Sequence, residues 1–234
     1  MSTESKASFD ENWATITDLM SLTGDGATTH PQRAARNKAA MVFCITAWES
    51  YVEDLACEGA RYLADHCPTF DDLPSQTKRS LELAVTPSKG PGTLSPSGKY
   101  PRAIAGDGWR LLLVELVEES ATGKSFNTPS SKNVKELFTK WFSVDVTESW
   151  AWKGFARPGP ARRLDESISL RGEIVHRGGK PNGLNQNWVY TYGEVNIRQL
   201  VAKTDDCLIR WINSITEEFG PSAPFGSSTP LIPA

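Results

Sequence analysis

Apolar residues recur at intervals of three and four along most of this chain, and that spacing predicts helices throughout. Phe9, Trp13, Ile16, Leu19 and Met20 mark a first helix ending near Gly24, where Gly24-Asp25-Gly26 makes a turn. A second, long helix is expected over residues 31–66, with Pro31 suited to its first turn because the missing N–H has no intrahelical acceptor there. Apolar positions wrap around the middle of this helix, so neighbours must cover more than one of its faces. Glu49 interrupts that stretch and needs a basic partner or water, since an unpaired buried carboxylate is costly. Further helices are expected over 75–85, over 109–119 with Leu112, Leu113, Leu116 and Val117 inward, and over 131–142 through Val134, Leu137, Phe138, Trp141 and Phe142. Pro129-Ser130-Ser131 supplies the cap of the last of these.

Two more helices complete the pattern. One covers 161–176 with Leu164, Ile168 and either Ile174 or Val175 inward, and Gly178-Gly179 closes it as a left-handed cap. The other covers 194–219, with Val195, Leu200, Val201, Leu208, Trp211, Ile212 and Ile215 as its buried stripe. Between them, Trp188-Val189-Tyr190-Thr191-Tyr192 has the composition of a strand but no partner, and reads as a short extended connector. Residues 86–107 form a long loop rich in Pro, Gly and Ser, and residues 220–234 a disordered tail. The architecture is therefore an all-α, up-and-down helical bundle with long irregular loops, a single domain over 1–219.

Composition narrows the function. Acidic residues outnumber basic ones by 28 to 25, so the global charge does not advertise a nucleic-acid binder. Residues 153–180 differ, with seven basic side chains against three acidic ones. Arg162, Arg163, Arg177 and Lys180 belong to that window and form either a polyanion-binding patch or a solvated helix face. Trp150, Trp152 and Phe155 beside it read as core packing or as a base-stacking platform. Cys44, Cys57, Cys67 and Cys207 include no C-x-x-C pair and read as reduced thiols of a cytoplasmic protein. Residues 1–10 lack the apolar core of a secretion signal, and residues 39–48 are half the length of a membrane span, so no membrane is expected.

The chain has no G-x-S-x-G elbow, Walker loop or dinucleotide fingerprint, and His30, His66 and His176 lack the spacing of a zinc site. No cofactor and no metal are expected. The remaining candidate chemistry is Arg171 and His176, in Leu170-Arg171-Gly172-Glu173-Ile174-Val175-His176. An arginine holds its charge at any working pH, and an unperturbed imidazole titrates near pH 6.5, at roughly the pH where proton transfer is useful. One braces an anion while the other moves a proton, which suits the cutting of a phosphodiester. The bland alternative is a helix-terminal His favoured by the C-terminal dipole beside an Arg bound to a surface acid. Five helical residues rotate a side chain by about 140°, so one such pair makes a thin site and two copies across a two-fold axis a fuller one.

The Arg-x4-His pattern at the end of a late bundle helix resembles the R-x(4–6)-H motif of the HEPN superfamily. Arg36-Asn37 leading into Ala47-Trp48-Glu49-Ser50-Tyr51-Val52-Glu53-Asp54-Leu55 resembles the second helix of its RiboL-PSP-HEPN and related groups. So do Asn127-Thr128-Pro129-Ser130 running into Asn133-Val134-Lys135-Glu136-Leu137-Phe138, and Leu164-Asp165-Glu166 running to Arg171 and His176. The resemblance implies a homodimer with a composite groove, and metal-independent endoribonuclease activity in many members, commonly in toxin–antitoxin or antiphage defence systems. Other members only bind RNA or a partner protein. It implies Arg171 and His176 as the catalytic pair, RNA as substrate, and an antitoxin or defence protein as partner; the chemistry of these groups lets Glu49 orient His176 or form a structural ion pair with Arg171. One departure stands out: the position after the motif Arg, usually polar in active members, is Gly172.

Overall fold

The computed structural model describes residues 2–21, 30–85, 106–123, 126, 128–177, 189–219 and 224–227. Through them run α1 (Glu4–Ser21), α2 (His30–His66), α3 (Ser75–Val85), α4 (Gly108–Thr122), α5 (Ser131–Phe142), α6 (Gly159–Arg177) and α7 (Arg198–Thr216). Among the described residues there is no strand, only an isolated bridge between Trp152 and Phe155. The fold is the expected all-α bundle. The turn at 24–26, the loop over 86–105, and the glycine cap at 178–179 lie outside the described residues.

α2 is the axis of the molecule. Its 37 residues make a rod of about 55 Å. Met41, Ile45, Trp48, Tyr51, Val52, Leu55 and Leu63 are all buried along it, on more than one face. α1, α4, α6 and α7 pack against it. Its aromatic side chains use their polar ends to fix neighbours, as buried Trp and Tyr generally must. Trp48 Nε1 donates to the carbonyl of Pro129 at 3.0 Å, and Tyr51 Oη donates to the carbonyl of Val201 at 3.1 Å. Trp150 lies edge-on to Trp48, ring centroids 5.9 Å apart, and its Nε1 donates to Thr204 Oγ1 at 2.9 Å. Of the aromatic segment, Trp150 is thus core, as the packing alternative had it.

The cap of α5 does two jobs. Ser130 Oγ accepts from the N–H of Asn133 at 3.2 Å, as an N-cap should. The next residue, Ser131, donates its N–H and its hydroxyl to Asp165 of α6, at 2.8 and 2.6 Å. A carboxylate from another helix therefore satisfies an orphan donor of the α5 terminus and fixes α6 against α5. At the other end of the chain, Glu58 of α2 accepts from the N–H groups of Glu4 and Ser5 and from the Ser5 hydroxyl, anchoring the start of α1. Thr3 Oγ1 donates to the buried Asp205 of α7 beside it.

Two expectations need correction, and one open alternative is settled. Residues 189–192 are not an extended connector; they begin a π-helical segment, Val189–Ile197, that runs directly into α7, while Trp188 lies outside the described residues. Close packing accompanies this winding: a Cβ on Gly193 would sit 2.9 Å from the sulfur of Cys44, so only glycine lets the segment press this close to α2. On α6, Ile174 packs against the core and Val175 does not, being 56% exposed. Within the expected tail, residues 224–227 are docked, and Phe225 is buried in the core. The cysteines are free thiols; Cys44, Cys57 and Cys67 are buried, and burial pushes Cys44 up to about 12.

Candidate functional site

α6 delivers the two motif residues to different surroundings. Its buried side carries Leu164 and Ser167, and Arg171 lies one turn beyond Ser167 on that side, against α2. There its Nη1 donates to Glu49 Oε1 at 2.7 Å. The Glu49 side chain is 14% exposed and that of Arg171 29%, so the pair is half out of water and stronger than a surface ion pair. Burial raises the Glu49 carboxyl above its ordinary pKa; the charge of Arg171 and its hydrogen bond pull the other way without fully offsetting it. Arg171 Nε is buried and has no hydrogen-bond partner among the described residues.

Glu53, one turn further along α2, adds to the field. Its carboxyl is raised by burial first, then by repulsion from Glu49 and Asp54. Glu49 and Glu53 are thus two half-buried acids one turn apart on α2, of which Glu49 holds the motif guanidinium.

His176 occupies the last turn of α6 and is exposed. Its ring makes no hydrogen bond to a described residue. It is removed from Arg171 by about 140° of rotation and about 7.5 Å of rise. One chain therefore brings Arg171 and Glu49 together and leaves the imidazole outside that pair. A Cβ built on Gly172 meets nothing within 4 Å, so the surface between the two motif residues is open.

The basic window divides. Arg162 is exposed and lies 3.7 Å from Glu166 on its own helix. Arg163 is held elsewhere: its guanidinium carbon sits 3.9 Å from the ring centroid of Phe155 and 5.1 Å from that of Tyr192. This double stack ties α6 to the turn before it and to the π-helical segment. Lys180 and the side chain of Arg177 lie outside what is described. Neither the Tyr192 contact nor the Asp165–Ser131 cap has a signal in spacing, because each joins elements distant in sequence. Among the described residues, no three His, Cys, Asp or Glu side chains are grouped to hold a metal ion, and no helix is long and apolar enough to cross a membrane.

Comparison with known proteins follows the same landmarks. No curated protein and no solved structure matches the chain. One family model, RiboL-PSP-HEPN, matches residues 9–210. That span runs from α1 into α7, including the Trp48-Glu49 stretch of α2, the capped start of α5, and α6 with Arg171 and His176. With an all-α bundle of this order and a match over most of its length, the chain belongs to the RiboL-PSP-HEPN family of the HEPN superfamily.

Proposed function

We propose that this chain is a metal-independent endoribonuclease acting as a homodimer, in a toxin–antitoxin or antiphage defence setting, with Arg171 and His176 as its catalytic residues and Glu49 as a positioning residue. The observation that carries the reading is the Glu49–Arg171 pair, which holds a fixed cation half-buried on α6 one and a half turns before an exposed imidazole. Because only Nη1 contacts the carboxylate, the guanidinium retains donors for a phosphate oxygen.

The reaction follows from these groups. Neutral His176 takes the proton of a ribose 2′-hydroxyl. The 2′-oxygen then forms a bond to the adjacent phosphorus, and the bond from phosphorus to the 5′-oxygen breaks. Arg171 stabilises the charge that builds on the non-bridging oxygens, where preorganised donors do most for the rate. The leaving 5′-oxygen takes a proton from His176 of the partner subunit. The products are a 2′,3′-cyclic phosphate and a 5′-hydroxyl. DNA, lacking the 2′-hydroxyl, is not cut.

A second reading, a binding module that does not cut, draws on Gly172 and on the engagement of Arg163 by two rings. One experiment separates the two. Purified protein is incubated in EDTA with single-stranded RNA and with DNA of the same sequence, and the product ends are identified. The enzyme reading expects cyclic-phosphate ends from RNA alone, lost in His176→Ala and Arg171→Ala while circular dichroism is unchanged. RNA that is bound but stays intact at high protein concentration would leave the binding module.

A further inference from the structure

Residues 224–227, Pro-Phe-Gly-Ser, form a turn closed by the N–H of Ser227 donating to the carbonyl of Pro224 at 3.0 Å. Gly226 takes φ +78°, the value a type II turn requires at its third position. Such a turn points the N–H and carbonyl of its second residue outwards, and here one side chain answers both. Asn213 Oδ1 accepts from the N–H of Phe225 at 2.8 Å, and Asn213 Nδ2 donates to the Phe225 carbonyl at 3.3 Å. This is the two-point pairing that a strand edge offers an extended peptide, supplied by one carboxamide of α7.

The side chains are read as closely as the backbone. The Phe225 ring is 2% exposed and lies 5.1 Å from the Tyr62 ring, tilted by 59°. Tyr62 is itself backed by His66, stacked at 3.9 Å. Gly226 is selected twice, by its φ and because a Cβ there would fall 2.7 Å from Ile209 Cδ1. Its carbonyl accepts from the N–H of Ser2 at 2.9 Å.

We propose that Asn213, Tyr62 and Ile209 form a peptide-recognition socket for a Phe-Gly turn. The chain's own residues 224–227 are its resident ligand, and a partner protein carrying the same turn is its competing one. The site is separate from Arg171 and His176 and does not rest on the ribonuclease reading. A tethered ligand acts at an effective concentration in the millimolar range, so an incoming peptide binds poorly until the resident turn is removed.

The test uses the full chain carrying Phe225→Ala and a fluorescein-labelled peptide of sequence SAPFGSS, followed by anisotropy. The peptide should bind Phe225→Ala at least tenfold more tightly than the unaltered protein. Adding Asn213→Ala should abolish that binding, and so should a peptide with alanine in place of its glycine. A folded Phe225→Ala protein that binds no better than the unaltered chain, or that accepts the alanine peptide equally well, overturns the proposal. Should Phe225→Ala fail to fold, hydrogen exchange decides. Asn213→Ala should then lower protection of the Phe225 amide at least tenfold while α7 stays protected, and unchanged protection overturns the socket.

Discussion

Replacing Gly172 with alanine tests whether the α6 surface beside Arg171 is open in the folded molecule. Gly172 lies within α6 (Gly159–Arg177), where a glycine loses more backbone freedom than any other residue. The penalty relative to alanine in a helix interior is about 1 kcal/mol. Nothing opposes the added methyl, because a Cβ at this position has no neighbour within 4 Å. Gly172→Ala should therefore stabilise the protein by about 1 kcal/mol, which for a chain of this size raises Tm by roughly 2–4 °C. Thermal and urea unfolding followed by circular dichroism read the change, each at two protein concentrations. An unchanged or lowered Tm would refute the reasoning. If the loss shrank on dilution, a second protein surface would be shown to cover the position in solution. The same open space admits Gly172→Asn; on the proposed ribonuclease reading, a polar side chain beside Arg171 should raise the rate of RNA cleavage, read by the product-end assay.

Other predictions follow from charges out of place. Asp205 is buried against Thr3, and burial lifts its pKa to about 6, above an unfolded value of about 3.9. The folded state therefore holds a proton that the unfolded state has lost, so this group's contribution to stability is greatest below about pH 4 and declines as pH rises through 6. Asp205→Asn should flatten that profile, stabilising the protein at pH 8 by up to roughly 3 kcal/mol with little effect at pH 4, as urea titrations at the two pH values would read. Glu49→Ala leaves the Arg171 charge half-buried without its carboxylate. It should cost about 1–3 kcal/mol in urea unfolding and lower RNA cleavage at least tenfold while RNA binding, measured by filter retention, persists. Arg163→Lys keeps the charge but loses the planar stack on Phe155 and Tyr192. It should lower stability by about 1 kcal/mol and leave RNA affinity unchanged; a loss of affinity without a loss of stability would return Arg163 to the binding surface.

What the sequence disclosed, and what it hid, divides along the range of the interactions. Helix positions are local, and Phe9, Trp13 and Ile16, or Leu200, Val201, Leu208 and Ile212, announce their buried faces by spacing alone; all of them are buried. An acid within the apolar run of α2 had to have a partner, so the need of Glu49 was legible. Periodicity did not name the partner, since Arg171 lies 122 residues away; pairing with Arg171 was one of the two roles expected for Glu49, and the packing of α6 on α2 makes it the observed one. A count of charges likewise cannot separate an arginine facing water, such as Arg162, from one held against two rings, such as Arg163. Val189, Tyr190 and Tyr192 have the composition of a strand, but no strand lies beside them among the described residues, and contact with α2 through Gly193 and Cys44 accompanies a helical path instead. In the Pro- and Ser-rich tail, one phenylalanine was outweighed by its neighbours' composition, although its buried ring, with the Asn213 carboxamide, anchors the turn.

Trp48 and Glu49 are adjacent on α2, yet one faces the interior and the other meets α6. The indole, pinned to the Pro129 carbonyl and pressed against Trp150, acts as a peg that sets both the depth and the rotation of α2. Because a helix turns as a rigid rod, any slippage at that peg swings the neighbouring carboxylate away from its arginine. On the proposed ribonuclease reading, mutations that soften the centre of the molecule should thus lower cleavage well before they unfold the protein.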